Sequence, residues 1–319
     1  MAQKINESKR RQLEAVATMK YKLGLSNAEI AKRLDVSAMS ISRFLDMALD
    51  AGIVRISVRT SITEDDELEN NLKNRFGLRD AVVASGGFDS NPLSVTASAA
   101  AEYLDMILTD DDILGIAAGN TIGMTIPHIR LSSMRDPSDL HVVQIMGGNY
   151  NAGKSNPSYM INTFVNRFGA KGFLMQVPQY ARTVEQYEAA RASLWDTFLA
   201  QWKSCTVLLF ALGTLSEEII NENDGMVSES DYDELVQKRA VGRLFGYWID
   251  SDGKLLDCSS NRKIFAIPFE IAKDVPLKIA VSSGEDRIPV IQAALKTGLL
   301  DVLITDSRTA KKLLLSVDS

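Results

Sequence analysis

The sequence predicts a two-part α/β protein, an N-terminal helix-turn-helix head followed by a C-terminal parallel α/β body. Three observations carry that expectation. A chain of 319 residues is about twice a common single domain. Its charge is divided: residues 1–60 hold 11 Lys or Arg against 6 Asp or Glu, so a head of net +5 precedes a remainder of −11 in a chain of −6. Beyond residue 78, short apolar runs alternate with helix-like segments.

Composition narrows the class further. With 45% hydrophobic and 24% charged residues the chain can bury large cores, which excludes disordered and fibrous proteins. The longest apolar stretches, such as Thr206–Leu215, fall short of the roughly 20 residues that cross a bilayer, so no membrane association is expected. The basic N-terminus leads into no uninterrupted apolar segment and does not read as a secretory signal. Cys205 and Cys258 are far apart and offer neither a disulfide framework nor a metal quartet. The expectation is a cytoplasmic protein with no metal or cofactor.

In the head, Leu13, Val16, Ala17, Met19 and Tyr21 approximate one helical face, and Gly24 stops that helix. Ser26 or Asn27 caps a second helix containing Ile30, Ala31 and Leu34, which ends at Asp35. Ser37 caps a third, in which Ile41, Phe44, Leu45, Ala48 and Leu49 share one face. Met39, Arg43, Asp46 and Asp50 then lie on the opposite face, flanked by Ser40 and Ser42. Asp46 and Asp50 repel phosphate, so only the first two turns suit a major groove. Ser37, Ala38, Met39, Ser40 and Arg43 become the candidates for contact with duplex DNA. Arg43 can pair with a guanine or grip a phosphate, and an ordinary three-helix bundle with a solvated face is the plain alternative.

Ile53–Val58 reads as a strand, either a small wing or a linker, and Glu64–Glu67 opens another helix with acids suited to its dipole. The boundary falls near residues 57–64, giving a head of 1–58 and a body of 59–319. Seven buried strands are expected in the body, at 81–83, 113–116, 142–145, 173–175, 207–210, 279–281 and 302–304. Ligands of such sheets bind beyond the carboxyl ends of the strands. After 113–116 comes Ala118-Gly119-Asn120-Thr121, where small residues, helix amides and a hydroxyl suit a phosphate. Gly147-Gly148 follow 142–146. Ser282–Arg287 precede a helix with Pro289 in its first turn, leaving Arg287 at its entrance. Each glycine turn alone is a tight connection; together, with Thr121 and Arg287, they favour an anion site.

At this point the residues resemble a family, the SorC-type sugar-responsive bacterial transcriptional regulators, related in their effector domain to the DeoR group. The marks are SNAEIAKRLDVSAMSISRFLDMALDAGIVRI, DILGIAAGNTI, QIMGG followed by NPS, LLFALGTL, AVGRLFGYWIDSDG and AALKTGLLDVLITDSRTAKKLL. They cover nearly the whole chain, and their order is more specific than any one of them. The resemblance implies a body similar to sugar-phosphate isomerases and deaminases that binds a phosphorylated sugar or related anionic metabolite and forms a homodimer or homotetramer. It also implies that Gly119, Asn120 and Thr121 hold phosphate and that Gly147 and Gly148 line the site.

Two departures stand out. Where the family has Gly-Ala-Val-Gly-Asp, with the acid facing the sugar, this chain has Arg239-Ala240-Val241-Gly242-Arg243. Where it has Gly-Gly, two residues, then Lys, this chain has Ser283-Gly284-Glu285-Asp286-Arg287. Arg243, Glu285 and Arg287 therefore join the effector-site candidates. The charge reversal at Arg243 leaves three readings: an unusually anionic ligand, a pairing with Glu285 or Asp224, or loss of the sugar. The rival functions are a sugar-phosphate enzyme, with Glu285 and Asp286 as acids, and a DNA-binding protein without a ligand. His128 and His141 read as structural or surface residues.

Overall fold

The computed structural model describes residues 7–50, 53–54, 64–85, 91–132, 134, 136–148, 150–216 and 227–316. The chain forms two compact units: residues up to Ser61 together with Ser132–Met134, and the remainder from Ile62 onward. The boundary expected at 58/59 and the strand-like run beyond Val54 lie outside the described residues, as does Asp224.

In the first unit α1 (Glu7–Ala17) runs into a π turn, Thr18–Lys22, and is followed by α2 (Asn27–Leu34) and α3 (Ala38–Asp50). Ser26 is the cap of α2. Its hydroxyl accepts from the Glu29 amide at 3.2 Å, and the Glu29 carboxylate accepts from the Ser26 amide at 2.8 Å. Asp35 ends α2 in the left-handed region (φ 53°), and Ser37 caps α3 by accepting from the Ser40 amide at 3.1 Å. Val16, Ile30, Ala31, Ile41 and Leu45 form one buried cluster, and Leu13, Ala17 and Ala48 form another, against which Ile53 and Val54 pack. Tyr21 departs from expectation, being 48% exposed. The π turn holds more residues per turn than an α-helix and rotates Tyr21 off the apolar face.

The second unit begins with α4 (Glu64–Phe76), opened by the acidic stretch as expected. Then come β1 (Asp80–Ala84), α5 (Pro92–Ile107), β2 (Ile113–Ile116), α6 (Asn120–Thr125), β3 (His141–Gln144), α7 (Pro157–Phe168) and β4 (Lys171–Phe173). α8 (Val184–Ser204), β5 (Val207–Phe210), β6 (Leu212–Gly213), α9 (Glu229–Gln237), β7 (Gly242–Leu244) and β8 (Tyr247–Ile249) follow. After two short helices, Ser259–Arg262 and Phe269–Asp274, the chain ends with β9 (Leu277–Val281), α10 (Ile288–Lys296), β10 (Val302–Asp306) and α11 (Ser307–Leu315).

Seven strands form one sheet in the order β1-β10-β9-β5-β2-β3-β4, with every pair parallel. All seven expected strands are present, with one shift. The fourth pairs over Lys171–Phe173 rather than 173–175, because the buried Gln144 carboxamide accepts the Met175 amide at 3.1 Å and takes that segment out of the ladder. A second sheet, antiparallel β6-β7-β8, was not foreseen. Strands of two or three residues are too short to show alternation. Phe245 and Gly246 turn β7 into β8 with φ of 52° and 86°, the pattern of a two-residue hairpin. The Phe245 ring, buried, packs on Phe210 at the end of β5 with centroids 4.6 Å apart, which fixes the small sheet on the carboxyl edge of the large one.

The Ser26 cap gives a direct test. Ser26→Ala should destabilise α2 by about 1 kcal/mol, read as faster amide exchange in Asn27–Leu34 within the full chain. Hydrogen bonds from the Ser26 hydroxyl and amide hold the Glu29 carboxyl below its ordinary value of 4.5. A lowered carboxyl stabilises the fold above that value and stops doing so as pH falls through the folded pKa, so the gap between wild type and variant should narrow on acidification, leaving the cap bond to the Glu29 amide.

Candidate functional site

Parallel pairing places every strand's carboxyl end on one edge, and the strand order decides where that edge opens. From β2 the chain proceeds outward to β3 and β4, whereas from β5 it proceeds the other way to β9 and β10. The connections leave the adjacent strands β2 and β5 in opposite directions, which makes a crevice beyond their carboxyl ends. The expected site residues sort themselves around it.

Gly119 follows β2 and precedes α6. A Cβ there would lie 2.7 Å from the Ala211 Cβ, so only glycine lets the β2 loop close on the end of β5. The amides that open α6, including those of Asn120 and Thr121, have no acceptor within the helix. Thr121 is buried and Asn120 is exposed. The loop between β3 and α7 braces this turn from the side. The Ser155 carbonyl accepts from the Gly119 amide at 3.3 Å, the Ser155 hydroxyl donates to Asn120 Oδ1, and a Cβ on Gly123 would sit 2.5 Å from the Lys154 carbonyl oxygen. Arg167 secures the far end of the segment, donating to the carbonyls of Ile126 at 3.0 Å and Ile129 at 2.9 Å.

Two arginines reach the same end of β5. Arg287 caps α10, with Pro289 in the first turn as expected, and its Nη1 donates to the Leu212 carbonyl at 2.6 Å. Arg243 pairs in register with Gly213 and Trp248, and its side chain covers Gly213 where a Cβ would otherwise stand. Its guanidinium lies 5.6 Å from the centre of the Trp248 ring. Burial raises the Tyr180 phenol, opposed by the positive charge of Arg243 close by, and the Tyr180 hydroxyl donates to the Gly246 carbonyl at 2.6 Å. Gly119, Arg243 and Arg287, which are remote in sequence, thus converge on Ala211–Gly213.

Other expected residues take different positions. Gly147 and Gly148 are buried and their amides are engaged, donating to the carbonyls of Phe265 at 2.7 Å and Val177 at 2.9 Å. They weld the β3 end to neighbouring backbone rather than offer donors to a ligand. Glu285 is exposed and ion-paired with Lys312. His128 and His141 are both exposed, and His141 begins β3 at the opposite edge of the sheet. In the head, Ser37, Ala38, Met39 and Arg43 are exposed and Ser40 is half-buried.

One signal went unread in the sequence. The hydroxyls of Ser282, Ser283 and Thr305 are buried at the carboxyl ends of β9 and β10 and have no hydrogen-bond partner among the described residues. A buried hydroxyl without a partner is costly, and Ser283 shares its loop with Arg287. Their positions directly after apolar strand residues were the available clue. Both cysteines are buried and free; burial pushes the Cys205 thiol up to about 12 and raises that of Cys258. Among the described residues no cluster suits a metal ion, and no helix is long and apolar enough to cross a membrane.

The glycines of this edge separate packing from binding. A Cβ on Gly147 would overlap the Pro178 carbonyl, which is backbone and cannot swing aside. Gly147→Ala should therefore cost about 1–3 kcal/mol or more in a thermal or urea melt without any ligand present. An unchanged melt would show that this backbone can yield.

Residues 60–315 match the sugar-binding domain family Sugar-bind. The erythritol catabolism regulatory protein EryD of Brucella abortus is 27% identical over 303 residues, covering 93% of this chain and 94% of that protein. The sorbitol operon regulator of Klebsiella pneumoniae is 26% identical over 306 residues, covering 94% and 96%. The transcriptional regulator LsrR of Escherichia coli is 26% identical over 312 residues, covering 96% and 95%. Among solved structures, full-length SorC of K. pneumoniae superposes with a TM-score of 0.71 at 24% identity, over 97% of this chain and all of that one. A transcriptional regulator from Streptococcus pneumoniae superposes with a TM-score of 0.73 at 22% identity, over 80% of this chain and 98% of that one. These named relatives are regulators rather than enzymes. The chain belongs to the sugar-binding domain family and is a SorC-type transcriptional regulator.

Proposed function

We propose that the head binds operator DNA through the first turns of α3 and that the body senses a phosphorylated sugar, or a related sugar metabolite, that carries a second anionic group. The observation that supports the effector half is the convergence of Arg287 and Arg243 on Leu212–Gly213 beside the α6 amides. In this reading the phosphate lies against Gly119–Thr121 with Arg287 as its counter-charge. Arg243, standing where the family carries an acid, faces the second anionic group. Ser283 supplies a further hydroxyl. Gly147, Gly148 and Glu285 act through the fold rather than by touching the ligand.

The protein acts in the cytoplasm as a homodimer or homotetramer, since one short recognition helix makes too few base contacts for operator specificity. Residues 1–58 are the operator-binding part and 59–319 the sensing and assembly part. Effector and operator are linked because the ligand favours one arrangement of the subunits over another. A typical coupling of about 1–3 kcal/mol changes operator affinity about 5- to 150-fold, and operator DNA changes effector affinity by the same factor.

Binding of the full chain to duplex DNA should fall steeply with salt, and Arg43→Ala should weaken it by about 1–3 kcal/mol if Arg43 reads a base. A flat salt dependence in an anisotropy titration would remove the DNA role. Thr121→Ala should raise the dissociation constant of a sugar phosphate about tenfold, the worth of one hydrogen bond to an ionised oxygen, while DNA binding by the free protein stays intact. Calorimetry with sugar monophosphates, bisphosphates and phosphorylated sugar acids tests the second charge. Arg243→Asp should weaken the doubly anionic ligands and admit less charged sugars. If it leaves the ligand spectrum unchanged, Arg243 does not face the effector.

A further inference from the structure

The outward face of α3 carries one feature that binding to a phosphate backbone does not explain. Met39, in the first turn, is 83% exposed, an apolar side chain on a stripe otherwise formed by Arg43 and Asp46. The polar neighbours are engaged within the head. The hydroxyls of Ser37 and Ser40 pair at 2.9 Å, and Ser42 accepts from Asn27 Nδ2 at 3.1 Å and donates to the Ala38 carbonyl at 3.4 Å. Arg43 is exposed, has no partner among the described residues, and shares the stripe with Met39 one turn away. Two side chains at the deep end of the helix are therefore uncommitted, one cationic and one apolar.

The occupant of this face follows from charge and chemistry. Lys32 and Arg33 stand exposed in the last turn of α2 next to Asp35, and residues 1–60 carry a net +5, so the head as a whole favours a polyanion over an apolar protein surface. In the major groove the apolar group within reach is the 5-methyl of thymine, the one feature of that groove that hydrogen bonds do not read. We propose that Met39 is a specificity-determining residue that packs on a thymine methyl of the operator half-site. Residues 39 and 43 are about 6 Å apart along the helix, close to two base-pair steps, so this thymine lies about two steps from the base pair or phosphate that Arg43 contacts. The inference rests on the DNA-binding reading above and adds to it the identity of one base.

The test begins with duplexes selected by the full chain from a random library. Each thymine of the selected site is then replaced singly by deoxyuridine, which removes the methyl and nothing else. For wild type, one replacement per half-site should weaken binding about 3- to 10-fold, the worth of one or two buried methyl-sized contacts. Met39→Ala should bind the thymine and deoxyuridine duplexes equally, with an unchanged salt dependence. Met39→Gln keeps the side-chain length and should enrich adenine at that position on reselection. Because Met39 lies outside the buried clusters, equal melting curves check that each variant is folded. The same deoxyuridine sensitivity in wild type and Met39→Ala, or no sensitive thymine in wild type, overturns the assignment. Failure of wild type to enrich any duplex overturns the DNA-binding reading and this assignment with it.

Discussion

Parallel strand pairing is the constraint on which the rest of the body depends. A parallel sheet has no hairpins, so each strand must be reached by a crossover, and every strand then releases its chain at the same edge. Seven releases crowd there, and backbone segments approach to distances that side chains forbid. The Gly119–Ala211 contact, where the winding direction reverses between β2 and β5, and the Gly123–Lys154 contact, between α6 and the loop after β3, are such approaches. The site is thus a consequence of topology before it is a matter of particular side chains.

The small antiparallel sheet completes that edge. Its middle strand carries Arg243, and its turn is anchored by Phe245 on Phe210, the residue that ends β5. An aromatic contact in the core therefore sets where a surface-directed charge stands. Phe245 holds a left-handed φ of 52°, which a residue other than glycine keeps only when its surroundings leave no alternative; here burial between Phe210 and Phe269 supplies them.

Most of the architecture was legible because it follows periodic rules. The three head helices and their caps followed from apolar spacing and hydroxyl placement, and the structure chose Ser26 over Asn27 because Ser26 is the residue that closes a reciprocal pair with Glu29. Six of the seven strands showed as buried apolar runs, whereas the fourth, Lys171–Phe173, is a largely exposed edge strand. What escaped was whatever depends on contacts between remote segments: the exit of Met175 from the ladder, the β6-β7-β8 sheet, and the engagement of the Gly147 and Gly148 amides. Motif resemblance assigned those two glycines to a ligand, and a glycine is equally required where two backbones cross, as at Gly147 against the Pro178 carbonyl. Glu285 illustrates the same limit, since nothing local in sequence announces Lys312 as its partner.

The two cysteines carry a different consequence. Oxidants and electrophiles attack thiolates, and a thiol raised to about 12, as Cys205 is, remains protonated throughout the physiological range. Cys258 is raised as well, and both are shut away from solvent. The chain has no other sulfhydryl. Neither cysteine is therefore placed to act as a nucleophilic thiolate toward an electrophile or a disulfide.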